Sequence, residues 1–473
     1  MKRKFFTFAL AIGIVIVCHC QEIKTDITLD FYETDKVSSL FDNEDSIHVI
    51  VEEMISISDW AEDSIELSLE NPNWIVPLLP NVFFNGFKLF VRKSESDNWA
   101  LADFSYTYPK IKCPIPSTEC QLKIAYSHMP YSMFKHWYNF PHFNAIIHSD
   151  GGWYFSHSLM KVNSIKVITP SSGYTLFLNK PSVTIGDNGH LIDFSASEEE
   201  DFSMILIKNH WYQKEEYTHE FYKLNLYHWD STYFLVDRDT IRKHLQTSRS
   251  TMDRRMEKMK STMTCYKEFF QKRDFLTVNI VDGNLRNNNI IWGCAFQERN
   301  WDTMSVFFDT ETGWDDNTVL HEILHGFLDI LPSHEDSSYY FFSESMTEYL
   351  SVALFHSQEK TDSLLQSDYE KRYLTYRRES DGESIFNIQD DFMRNDFSGT
   401  ALLIYRKTPY ILHRWGMSIG SQEFLLNILK QFYAEVYRQN KCSLAMMEKV
   451  FKGNGVTTAQ WNQLIYDLSH NIE

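Results

Sequence analysis

Four residues in the C-terminal half of the sequence combine types and spacing that can carry out a hydrolysis. They are His321 and His325, in the string His321-Glu-Ile-Leu-His325, together with Glu322 and, after 18 intervening residues, Glu344. At about 100° per residue, histidines four apart on a helix share a face one turn apart, so both imidazoles can bind one metal ion. Two histidines and a glutamate fill three corners of a tetrahedron and leave the fourth for water and substrate, whereas structural zinc usually takes four protein ligands. The set points to one catalytic zinc per chain, held by His321, His325 and Glu344. Glu322 projects close by but off that line, where its carboxylate can take the proton of a water that zinc acidifies towards a pKa of about 7. It is the expected general base. Glu348, four residues beyond Glu344 on the same helix face, is either a partner for the free ring nitrogen of a ligand histidine or a solvated second carboxylate.

These residues need two neighbouring helices to bring them together. The first is expected over Thr318–Leu331, with Asp315, Asp316 and Asn317 as capping candidates and Pro332 as its stop. It is apolar around most of its circumference, and burying ionisable groups there demands partners. The 18-residue gap leaves room for a loop and a return helix bearing Glu344. Upstream, Ile241, Leu245, Met252, Met256, Met259, Met263, Tyr266 and Phe270 recur at spacings of mostly three, four or seven, the pattern of one long amphipathic helix. Strand-like runs follow at Phe275–Val281, Ile290–Phe296 and Met304–Phe308. From about Ile23 to Asp230 the chain is instead a succession of short β-branched and aromatic runs, such as Phe87–Val91 and Ser164–Ile168, broken by Pro, Gly, Asn and Asp. The expected fold class is multidomain α+β. An antiparallel β domain over residues 21–235 precedes an α/β catalytic domain over 236–473 that ends in helices.

The string His321-Glu-Ile-Leu-His325, with Glu344 in Phe342-Ser-Glu-Ser-Met-Thr-Glu-Tyr349, resembles the zinc motif of the aminopeptidase N and leukotriene hydrolase family of gluzincin peptidases. That family has the same 18-residue gap, followed by a Glu-Gly-Phe-Ala-x-Tyr pattern. Tyr405-Arg-Lys-Thr-Pro-Tyr-Ile-Leu412 is similar to the family's Tyr-x-Lys-Gly segment, which implies that Tyr405 donates a hydrogen bond to the oxyanion of the tetrahedral intermediate. Thr408 and Pro409 read as an N-cap and first helical position, leaving Tyr405 on the loop before a helix. Gly151-Gly-Trp-Tyr-Phe and Ser164-Ile-Lys-Val-Ile-Thr-Pro170 resemble the end of the family's N-terminal β domain, and Met447-Glu-Lys-Val-Phe451 with Trp461 the end of its catalytic domain. The resemblance implies a thermolysin-like catalytic domain, zinc, and a peptide or protein substrate. One segment departs: the family's Gly-x-Met-Glu-Asn strand, whose glutamate grips a substrate amine, is nearest to Gly293-Cys-Ala-Phe-Gln297, with Phe296 in the glutamate's place and Glu298 two residues on.

Lys2-Arg3-Lys4, an apolar stretch from Phe5 to Val17 and Cys18-His19-Cys20-Gln21 have the layout of a secretory signal peptide over residues 1–20. A secreted, periplasmic or cell-surface protein follows, and Cys18 or Cys20 could carry a lipid anchor. The stretch is shorter than the roughly 20 apolar residues that span a bilayer, and no other run approaches that length, so no transmembrane span is expected. The net charge of −19 disfavours a phosphate backbone, which excludes nucleic acid as a partner. Cys113 and Cys120 could close a short loop in an oxidising compartment, leaving Cys265, Cys294 and Cys442. A secreted zinc metallopeptidase, most nearly an aminopeptidase, is the expected function. An inactive binding protein that keeps the fold and a zinc hydrolase of a non-peptide substrate are the two alternatives.

Overall fold

The computed structural model describes residues 22–34, 46–69, 85–107, 110–128, 144–147, 154–170, 172–194, 202–209, 212–229, 232–236, 241–245, 249–271, 276–282, 292–297, 303–309, 316–328, 330–332, 336–376, 384–388 and 397–470. The leader expected over residues 1–20, with Cys18 and Cys20, lies outside them, as does Glu298. The architecture is mixed, with a β-rich N-terminal region and a largely helical C-terminal part.

The N-terminal region is built on an eight-stranded sheet in the order Val183–Ile185, Gly189–Asp193, Met160–Ile168, Glu22–Thr34, Ser46–Ser58, Cys120–His128, Asn85–Arg92 and Ala100–Leu101. Its strands bury every other side chain: Ile23, Ile27, Leu29 and Phe31 from one, Val49, Val51, Ile55 and Ile57 from the next. A four-stranded sheet adds Ile65, Leu67, Ile111 and Phe155 to the same core. The sheet is not purely antiparallel, because Glu22–Thr34 and Met160–Ile168 run parallel. Strands so distant in sequence are not tied by a hairpin, so the constraint that forces antiparallel pairing is absent. Cys113 and Cys120 do not form the bridge envisaged from sequence. Both are free thiols on strands of different sheets, and burial pushes them up to about 12 and about 11.

Glu53 occupies an inward position in this alternation and is completely buried. The Tyr126 hydroxyl donates to it at 2.9 Å and the Phe155 N–H at 3.0 and 3.2 Å to its two oxygens. Burial outweighs these donors and pushes its pKa up to about 8. The folded chain therefore keeps a proton that the unfolded chain releases near 4.5. Stability from this group is full below that value and falls as pH rises through about 8, by up to ~1.4 kcal/mol per pH unit. Thermal unfolding of the protein and its Glu53→Gln variant from about pH 5 to about pH 9 should show the wild-type midpoint dropping relative to the variant. Parallel profiles would contradict this account.

The C-terminal part begins with a five-stranded sheet in the order Tyr212–Thr218, Tyr222–Trp229, Leu276–Asp282, Thr303–Asp309 and Trp292–Gln297. The three central strands are parallel and the two outer ones antiparallel to their neighbours. The first two strands precede residue 236, so this sheet takes in a hairpin that the change of sequence pattern had grouped with the β domain. An alternating hairpin reads the same whichever sheet it joins.

Helix α1 (Arg249–Phe270) covers the sheet with Met256, Met259, Met263, Tyr266 and Phe270, and Met252 is also buried. It starts later than the periodicity suggested. Ile241–Leu245 pairs instead with Thr232–Val236 as a two-stranded ribbon, since apolar residues four apart satisfy a strand's period of two as well as a helix. Beyond lie α2 (Asp316–His325), α3 (Met346–Ala353), α4 (Gln358–Asp368), α5 (Thr408–Ile419) and α6 (Gln422–Gln439), then the helices Leu444–Gly453 and Thr458–Ser469. Together they close one core running from Tyr222 to Leu468. No described helix is long and apolar enough to cross a membrane.

Candidate metal centre

Helix α2 lies against Thr303–Asp309 and the edge strand Trp292–Gln297. Val319, Leu320, Ile323 and Leu324 are buried in the core, and the Tyr266 hydroxyl of α1 donates to the Leu320 carbonyl at 2.9 Å, fixing the backbone one residue before His321. The helix was expected to continue to Leu331, but it ends at His325. The N–H groups of Gly326, Phe327 and Leu328 bond three residues back at 3.1, 2.9 and 3.0 Å, a tightened ending that satisfies the last carbonyls. The Tyr437 hydroxyl of α6 donates to Phe327 O. His325 therefore sits at a firmly held helix end rather than in mid-helix.

The chain returns through a π-helical turn, Phe341–Ser345, that leads into α3; the Met346 N–H bonds Phe341 O, five residues back. Phe341 and Phe342 enter the core, while Glu344 stays partly exposed and faces α2. Such turns are uncommon, and they recur at functional positions. A second one, Leu403–Lys407, carries Tyr405 within helix that runs from Phe397 into α5. The expected loop before Thr408-Pro409 is thus replaced by continuous helix. Pro409 lacks the N–H that would bond Tyr405 O four residues back, and that carbonyl accepts from Arg406 Nη1 at 3.2 Å. Ser345 Oγ donates to Ile404 O at 2.8 Å and joins these two π-helical turns, a further one being Tyr369–Tyr373.

All six residues singled out from sequence meet here. His321 Nε2 and His325 Nε2 are 3.2 Å apart, and Glu344 Oε2 lies 3.4 Å from the first and 3.6 Å from the second. Bonds of about 2.1 Å to a tetrahedral ion place neighbouring ligand atoms about 3.4 Å from one another. The triangle therefore fits a zinc-sized cation, and it is the one such group among the described residues. Glu348 Oε2 is 3.0 Å from His321 Nδ1 on the far side of the ring. The Tyr405 hydroxyl donates to Glu344 Oε2 at 2.9 Å. Glu322 is buried beside His321, and its charge acts on both His321 and Tyr405.

The electrostatics also suit a cation. Burial opposes charge on either ring, but on His321 the carboxylates of Glu344, Glu348 and Glu322 outweigh it and raise the pKa to about 10. On His325 burial wins, helped by His321, and the pKa falls to about 4. Burial would raise Glu344, yet the two histidines and the Tyr405 hydroxyl hold it down at about 2. The carboxylates thus favour positive charge at His321, on the face shared with His325 and Glu344.

Sequence reasoning did not find Arg406 and Asp368. Arg406 Nη1 donates to Glu348 Oε1 at 2.9 Å and to Asp368 Oδ2 at 3.2 Å. The only local signal was a charge directly after Tyr405, and the link to Asp368 spans 38 residues.

No protein-family model and no curated protein sequence matches the chain. Among solved structures, an aminopeptidase N family protein from Idiomarina loihiensis is similar with a TM-score of 0.55 at 10% identity, over 95% of this chain and 77% of that one. A mutant of an M1 zinc metallopeptidase from Deinococcus radiodurans has a TM-score of 0.48 at 10% identity over 96% and 95%. Yeast LTA4 hydrolase in complex with bestatin gives 0.48 at 8% identity over 96% and 68%. The first likeness is one of fold: this chain shares the overall architecture of the Idiomarina protein across nearly its whole length.

Proposed function

We propose that this chain is an exported zinc metallopeptidase, aminopeptidase-like, whose C-terminal part works as a thermolysin-like catalytic domain. The observation that carries the proposal is the triangle of His321 Nε2, His325 Nε2 and Glu344 Oε2, with Glu322 and Tyr405 beside it. A zinc ion held there supplies a Lewis acid for the scissile carbonyl and acidifies water. Glu322 takes the proton of the attacking water and hands it to the departing amine. Tyr405 is the oxyanion donor. Burial, and after it the Glu344 carboxylate, push the phenol well above its ordinary pKa, which favours the O–H that this role needs. To reach substrate it exchanges Glu344 Oε2 for the oxyanion.

A peptide substrate is supported by the edge strand. Trp292–Gln297 has a sheet neighbour on one side only among the described residues and runs alongside α2. An extended peptide can add to such an edge through main-chain hydrogen bonds, which brings its amide bonds alongside the metal centre. Tyr405→Phe should retain zinc and lower kcat by roughly 10²–10³-fold with little change in KM, because the hydroxyl's hydrogen bond to substrate forms only as the oxyanion develops, its partner before that being Glu344 Oε2. Steady-state kinetics on a peptide substrate would measure this, and a change confined to KM would remove Tyr405 from the role.

The proposal as a whole is tested by mass-spectrometric profiling of a mixed peptide library incubated with the zinc-loaded protein and with its Glu322→Gln variant. Removal of single N-terminal residues by the wild type alone makes it an aminopeptidase despite Phe296, and internal cuts make it an endopeptidase. No Glu322-dependent cleavage ends the peptidase reading in favour of a binding protein or a hydrolase of another substrate.

A further inference from the structure

Behind His321 a line of charged contacts runs away from the metal centre, and each step crosses to another element. His321 on α2 meets Glu348 on α3 at 3.0 Å, Glu348 meets Arg406 in the second π-helical turn at 2.9 Å, and Arg406 meets Asp368 at the end of α4 at 3.2 Å. The side chains of Arg406 and Glu348 are 23% and 20% exposed, so water screens the pair only in part. Arg406 Nη1 also holds the Tyr405 carbonyl that Pro409 leaves without its usual helical donor. One nitrogen thus ties together the carboxylate behind a metal ligand, the turn bearing the oxyanion donor and the end of a third helix.

We propose that Arg406, anchored by Asp368, is a positioning residue for the metal centre: it clamps Glu348 so that Glu348 fixes the tautomer and ring plane of His321. The inference rests on His321, His325 and Glu344 being the zinc ligands. With Oε1 occupied by Arg406, Glu348 presents Oε2 to His321 Nδ1. An N–H held at Nδ1 leaves the Nε2 lone pair facing the metal position, and partners of this kind commonly change metal affinity by roughly 10–100-fold. A loose Glu348 could turn away or take hydrogen bonds from water.

The sign of the effect separates this role from simple electrostatics. A guanidinium close to a cation repels it, so if charge alone mattered, a neutral replacement of Arg406 would tighten zinc binding. If position matters, the same replacement weakens it.

The test is zinc affinity by competition with a chromogenic chelator, together with the visible spectrum of the cobalt(II)-substituted full chain. The proteins are the wild type and the Arg406→Met, Arg406→Gln and Arg406→Lys variants. Arg406→Met should bind zinc roughly 10–100-fold more weakly and shift the cobalt bands, and Arg406→Gln, which keeps an uncharged NH2 donor group, should fall between it and the wild type. Arg406→Lys should recover most of the affinity, since a single nitrogen makes all three contacts. Circular dichroism identifies a variant that fails to fold, and Arg406→Gln then carries the comparison. Zinc binding by a folded neutral variant that equals or exceeds the wild type overturns the inference. A wild type that holds no zinc overturns the metal reading beneath it, which is a distinguishable result.

Discussion

Glu322→Gln is expected to leave one zinc per chain in place and to slow peptide hydrolysis by about 10²–10⁴-fold, the usual range for a missing general acid–base group. Gln has nearly the shape of Glu and fits the same buried position beside His321. It cannot take a proton from water, because an amide has no accessible basic form near neutrality. The residue stands outside the triangle of ligand atoms, so metal content should not change. Elemental analysis and kcat measured on the same sample separate the two properties. Loss of zinc would make Glu322 structural, and unchanged turnover would exclude it as the base.

His325→Ala should have the opposite signature, with zinc and activity lost together. It removes one corner of a three-residue site, leaving His321 and Glu344. If a tetrahedral site is worth roughly 10–16 kcal/mol, one ligand of four carries about 2.5–4 kcal/mol, or ~10²–10³-fold in affinity. Dialysis should then strip the metal. His325 is the last residue of α2 and its side chain is 23% exposed, so truncation opens no deep cavity and the variant should keep its circular dichroism spectrum. Retained zinc in a folded His325→Ala protein would place the metal elsewhere.

The parts of this site that could be read from sequence are those whose geometry is local. His321 and His325 are placed by one helix turn, and Glu344 and Glu348 by another, so spacing specified which side chains share a face within each element, while the 18-residue gap only left room for the two to meet. Tyr405 was reached only through resemblance, and its setting was misread. Thr408-Pro409 has the composition of a helix start, yet Pro409 lies within continuous helix because the preceding turn is π-helical and Tyr405 O takes Arg406 as its donor. The end of α2 was overextended for a related reason. Apolar residues continue past Gly326, but the backbone tightens there and Tyr437, more than a hundred residues away, stabilises the result. Arg406 and Asp368 were invisible because their value to the site comes from contacts between separate helices. Glu53 could have been noticed, since it interrupts the inward series Val49, Val51, Ile55 and Ile57. Its partners Tyr126 and Phe155, by contrast, are set by tertiary pairing.

X-ray absorption at the zinc edge of the zinc-loaded protein tests the central claim most directly. The expected shell holds about four nitrogen or oxygen atoms at roughly 2.0–2.1 Å, with multiple scattering from two imidazoles and no sulfur. A sulfur neighbour near 2.3 Å would move the metal to cysteine thiolates, and a two-imidazole shell that survives in His325→Ala would show that His321 and His325 are not the pair that binds it.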